Sequence, residues 1–133
     1  MIAAGDGAIV NVSSTAGFQP MPYYAVYAAS KAFVRSFSLA LAEELRGSGV
    51  RVVTLCPGPT QAPSHQGMVS KSRIKFSRQP AEEVVEEALR SAEGSGGLVV
   101  PRLTNKAITF SNRLLPLSFG VRLAGRAMRP REP

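Results

Sequence analysis

Tyr27 and Lys31 lie four residues apart in Tyr27-Ala28-Ala29-Ser30-Lys31, and Ser14 stands thirteen residues before the tyrosine. Residues four apart on a helix share a face, so the Lys31 ammonium can lie beside the Tyr27 phenol. A positive charge there favours the ionised phenol, and a phenol biased that way exchanges a proton with a carbonyl or alcohol oxygen. A serine hydroxyl at a neighbouring strand end can hold the same oxygen by hydrogen bonding. This is equipment for proton transfer at a carbon that gains or loses hydride. Tyr23 and Tyr24 lack it, because Tyr27 and Ala28 occupy the positions four ahead of them.

Strands and helices must bring these groups together, and the hydrophobic pattern predicts them. Ala8-Ile9-Val10-Asn11-Val12 is a short β-branched run suited to a buried parallel strand. Ser13 would alternate to the other side of that strand from Ser14. Gly17, Pro20 and Pro22 make the next stretch an irregular loop. Val26, Phe33, Phe37, Leu41 and Leu45 then recur at roughly helical spacing over 25–46, and Gly47-Ser48-Gly49 ends the helix. A second strand covers 50–56 and stops at Pro57-Gly58-Pro59. Residues 60–79 form a long polar loop, a length usually kept for function. A helix starting at Pro80, with Glu82 and Glu83 near its positive end, runs to about Ala92. Leu98-Val99-Val100 makes a third strand, and 105–128 divides into two helices at Pro116. Strand, helix, strand, helix, strand predicts an α/β fold.

Val12-Ser13-Ser14, Tyr27-x-x-x-Lys31 and Leu55-Cys56-Pro57-Gly58-Pro59-Thr60 together resemble the short-chain dehydrogenase/reductase family. The resemblance runs from about Gly7 to Pro101. It implies the last three strands, with flanking helices, of a Rossmann-like parallel sheet, followed by C-terminal helices. Residues 1–101 would be the C-terminal half of that domain, and 102–133 a basic amphipathic helical tail. The implied activity is NAD(P)-dependent interconversion of an alcohol and a carbonyl. Tyr27 would be general acid/base, Ser14 would orient the substrate oxygen, and Lys31 would also bond the nicotinamide ribose. Pro57, Gly58 and Thr60 match the turn beside the nicotinamide. Ala62 stands where members often carry a second cofactor-contacting threonine. The implied cofactor is NAD or NADP, with NADP slightly favoured, and the implied partners are a small-molecule substrate and further copies of the chain.

The family's first half is missing from the pattern. No Gly-x-x-x-Gly-x-Gly follows a strand to receive a pyrophosphate at a helix N-terminus. The Asn-Asn-Ala-Gly segment and the catalytic asparagine are absent as well, so the chain is expected to start within the helix before the family's fifth strand. A second reading follows: a fragment without independent catalysis, associating through the unpaired edge of the strand at 8–12.

Composition narrows the alternatives. The 133 residues carry 44% hydrophobic residues, which suits one globular domain. A single cysteine, Cys56, excludes an internal disulfide, reads as a buried structural thiol and fits a reducing, cytoplasmic setting. The start of the chain shows no secretory signal. His65, the one histidine, has no ligand cluster around it, so no metal site is expected. The formal charge of +7 raises a nucleic-acid partner, but no aromatic residues interleave with the basic ones as stacking would need. The basic amphipathic segment 105–128 suits either docking on the domain or a partner, the commoner outcome, or peripheral contact with an anionic membrane. Asn11 is expected to be a strand residue with satisfied hydrogen bonds. Phe18, Met21, Tyr24 and Met68 hint at an apolar substrate pocket.

Overall fold

The computed structural model describes residues 1–61 and 77–129, the Arg113 side chain excepted. After a 3-10 turn at Ile2–Ala4, the chain forms β1 (Gly7–Val12), a second 3-10 turn (Thr15–Phe18), α1 (Ala25–Glu44) and β2 (Val50–Leu55). It continues through α2 (Ala81–Glu93), β3 (Gly97–Val99), α3 (Leu103–Leu114) and α4 (Leu117–Met128). The elements fall within two residues of their expected bounds. Pro116 divides the last two helices, standing at the N-cap of α4, where its missing N–H costs nothing.

All three strands are parallel, in the order β1-β2-β3. β1 pairs with β2 from Gly7↔Val50 to Val12↔Leu55, and β2 pairs with β3 from Val53↔Gly97 to Leu55↔Val99. The central strand is buried at every position but Arg51, which explains why apolar residues dominate it. α2 lays Val84 and Ala88 against Leu55, with Val99 beside them, to make the core cluster. This is the α/β, Rossmann-like sheet expected, three strands wide.

β1 has a strand neighbour on one side only among the described residues, and Val10 and Val12 are exposed. The apolar stripe of α1 also faces outward. Val26 is 85% exposed and Phe33 70%, and the Phe33 and Phe37 rings stack on each other at 6.1 Å. The buried positions of α1 are instead Ala28 and Ser38. Small side chains let a helix approach its neighbours closely, so the larger apolar ones are left uncovered. No helix among the described residues is long and apolar enough to cross a membrane.

Candidate active site

The two loops that leave the C-terminal ends of β1 and β2 are tied together by the backbone. Ser13 N–H donates to the Leu55 carbonyl at 2.7 Å, and Thr15 N–H to the Pro57 carbonyl at 2.9 Å. Ser14 therefore sits where the strand hydrogen bonding ends. It caps the 3-10 turn, its Oγ accepting from Ala16 N–H at 3.1 Å and donating weakly to the Pro57 carbonyl at 3.4 Å. That long bond leaves the hydroxyl proton easy to redirect.

α1 is gripped at Lys31. Ser13 Oγ donates to the Lys31 carbonyl at 2.7 Å. Gly17 lies so close that a Cβ there would stand 2.7 Å from the Lys31 carbonyl carbon. The Lys31 side chain reaches back, Nζ donating to the Val12 carbonyl at 3.0 Å at the end of β1. The same Nζ lies 5.8 Å from the centre of the Tyr27 ring, within cation–π range. Helical spacing thus puts Tyr27 and Lys31 on one face, and the strand end fixes that face.

Ser14, Tyr27, Lys31, Pro57, Gly58 and Thr60 all line one cavity of about 360 Å³ beyond the strand ends. The six residues expected to serve catalysis and cofactor binding are therefore brought to one place. Met21 and Tyr24 line it too. Phe18 departs from expectation: it lines a neighbouring hollow, with the Arg35 guanidinium 4.4 Å above its ring. The ring lies on the Arg35 side of α1, so proximity in sequence to Ser14 does not carry it into the cavity. Ala62, His65 and Met68 fall outside the described residues. Among the described residues no group of three or more His, Cys, Asp or Glu could hold a metal ion.

Asn11 also departs from expectation. Its Nδ2 is buried without a hydrogen-bond partner among the described residues, opposite Thr54 on β2, whose hydroxyl is unpartnered as well. Cys56 is fully buried, and desolvation pushes its thiol above the ordinary value, the Ser13 hydroxyl and the Arg35 and Lys31 charges pulling it down more weakly.

Sequence reasoning missed Arg78, Asn105 and Asn112, which also line the cavity. Asn105 packs against the Pro57-Gly58 turn: a Cβ on Gly58 would stand 2.6 Å from its amide nitrogen, which donates to the Pro101 carbonyl at 2.7 Å. The available signal was the uncharged polar stripe Asn105, Thr109, Asn112, spaced four and three apart and so on one helix face.

Comparison with known proteins follows the same lines. The family model for short chain dehydrogenase matches residues 1–73. Alcohol dehydrogenase 2 of Ceratitis capitata is 36% identical over 112 residues, an alignment covering 80% of this chain and 43% of that protein. A short chain dehydrogenase from Burkholderia cenocepacia, solved in complex with NADP, superposes with a TM-score of 0.73 at 24% identity, over 92% of this chain and 49% of its own. One from Sphingobium yanoikuyae, in complex with NADPH, gives a TM-score of 0.67 at 28% identity, over 92% and 49%. The chain spans about half the length of the relatives it matches. A family model covering more than half of the sequence makes this chain a member of the short-chain dehydrogenase family of oxidoreductases.

Proposed function

We propose that the chain contributes the proton-transfer side of an NAD(P)-dependent oxidoreductase that interconverts a small-molecule alcohol and a carbonyl. The observation that carries this is the convergence of Ser14, Tyr27 and Lys31 with the Pro57–Thr60 turn around one cavity at the carboxyl ends of parallel strands. Ligands of open α/β sheets bind in that position. In the reducing direction the Tyr27 hydroxyl gives its proton to the substrate oxygen, and Ser14 Oγ holds that oxygen by turning its proton away from the Pro57 carbonyl. Lys31, anchored on the Val12 carbonyl, holds its ammonium 5.8 Å from the centre of the Tyr27 ring. In the oxidising direction the same groups act in reverse.

The residues present fit one end of a dinucleotide. The Pro57-Gly58 turn offers backbone at the cavity wall, and the Asn105 amide fills the space where a Gly58 side chain would stand. When bound, a nicotinamide supplies or accepts the hydride. A glycine-rich turn opening a helix, which would hold the pyrophosphate, does not occur in this sequence. NADP is slightly favoured over NAD, in keeping with the NADP and NADPH complexes of two structural neighbours. Residues 1–101 read as the C-terminal half of the Rossmann-like domain and 102–133 as its helical tail. The buried thiol of Cys56 suits a reducing, cytoplasmic setting, and association between copies is expected.

The unpaired edge of β1 favours a second reading, a fragment that associates with other subunits and has no catalysis of its own. Titration of the chain with NADPH, followed by nicotinamide fluorescence, separates the two. Saturable binding below about 1 mM, with NADPH consumed when a carbonyl is added, supports catalysis by this chain. No binding in the millimolar range removes independent catalysis and leaves the second reading.

A further inference from the structure

α3 is amphipathic in the reverse of the usual sense. Its polar stripe, Asn105, Thr109 and Asn112, turns inward, with Thr109 buried and both asparagines on the cavity wall. Its apolar stripe turns outward: Leu103 is 81% exposed, Phe110 62% and Leu114 72%. These residues recur at seven and then four positions, so they share one face. The stripe runs on through the exposed Leu115 and Leu117 at the joint. In α4 the buried residue is Ala124, and Phe119 and Leu123, four apart, are exposed.

Charge decides what can cover this face. From 94 to 131 the sequence has seven basic residues and no acidic one. Lys106, Arg122, Arg126 and Arg129 are exposed, and the ion pairs formed among the described residues, Arg46–Glu43 and Arg51–Asp6, lie elsewhere. Two copies pairing through this surface would bring like charges together, which opposes self-association. The edge at which further strands can join is β1, whereas α3 leaves from β3 at the other edge of the sheet. A surface that offers both apolar and negatively charged groups answers both features.

We infer that the outer face of α3 and α4 docks on an anionic lipid bilayer. Phe110, Leu114, Leu117, Phe119 and Leu123 enter the boundary between headgroups and acyl chains, while Lys106, Arg122, Arg126 and Arg129 meet lipid phosphates. The cavity is lined from the opposite side of α3, so docking places its wall next to the membrane and suits substrates that partition into lipid.

Two measurements on the full chain test this. In cosedimentation, phosphatidylcholine vesicles containing phosphatidylglycerol should bind about tenfold more protein than phosphatidylcholine alone, and high salt should release it. The pair Phe110→Glu and Leu114→Glu should abolish binding; both positions are exposed, so the far-UV circular dichroism should not change. The sequence has no tryptophan, so Phe110→Trp gives a single reporter whose emission should shift to the blue on anionic vesicles. No shift and no pelleting would overturn the proposal. So would pelleting independent of lipid charge and of the glutamate pair. Concentration-dependent dimerisation abolished by Leu114→Glu, without vesicle binding, would assign the face to a second copy instead.

Discussion

Replacing Gly17 by alanine tests whether the loop after β1 holds α1 in place. The added Cβ would stand 2.7 Å from the Lys31 carbonyl carbon, 2.8 Å from its oxygen and 2.9 Å from Ala32 N. Carbon–carbon contacts prefer about 3.5–4.0 Å, so the 3-10 turn and the helix must part by about 0.8 Å or more. All three atoms are backbone, and no flexible side chain can yield instead. Overpacking of this kind costs about 1–3 kcal/mol. The Ser13–Lys31 hydrogen bond crosses the same contact, and its loss adds about 1 kcal/mol. A total of about 2–4 kcal/mol lowers Tm by on the order of 10 °C for a chain of this size. Where turnover is measurable, a displacement near 1 Å between Ser14 and Tyr27 lowers kcat about 10²-fold. Thermal unfolding followed by circular dichroism reads the first effect. A Tm within about 2 °C of the parent would refute the claim that this contact positions the site.

Other substitutions probe separate parts of the account. Gly58→Ala must displace the Asn105 side chain from its bond to Pro101, costing about 1 kcal/mol, and Asn105→Ala in the same protein should relieve most of it. Additive losses in that double-mutant cycle would rule the contact out. The buried Cys56 thiol should react with a maleimide only as the protein unfolds. Because its folded value is raised, the stability it contributes is full below the unfolded thiol's value of about 8.5 and falls as pH rises beyond it. Fast labelling under native conditions would contradict its burial. Val10→Lys on the exposed face of β1 should weaken concentration-dependent association about tenfold; a monomer with a sharp, concentration-independent transition would show the edge to be harmless.

The strands and helices were legible because each carries its own signal. The β-branched runs at 8–12 and 50–56 mark strands, the second buried as expected and the first half-exposed at the open edge instead, and Pro116 marks the division between two helices. The spacing of Tyr27 and Lys31 fixes a shared face on any helix, and Ser14 at the β1 end then meets them. Faces were harder. Periodicity says that a helix has an apolar side, not that this side is covered: α1 turns Phe33 and Phe37 outward, and α3 turns Leu103, Phe110 and Leu114 outward. The inward place of Asn105 depends on what Gly58 leaves open after β2, a contact across 47 residues that no local pattern encodes. The unpartnered Asn11 amide was equally invisible, because the groups that pack over a strand side chain come from elsewhere in the chain.

The central claim is that Tyr27 moves the proton. NADPH-dependent reduction of a carbonyl, compared between the parent and Tyr27→Phe at equal cofactor occupancy, tests it most directly. The change removes one hydroxyl from the cavity wall and leaves the ring, the Lys31 contact and the helix in place. The account predicts a fall of about 10²–10⁴-fold in kcat, with NADPH affinity changed by less than about threefold. A Tyr27→Phe protein that turns over at the parental rate would contradict it.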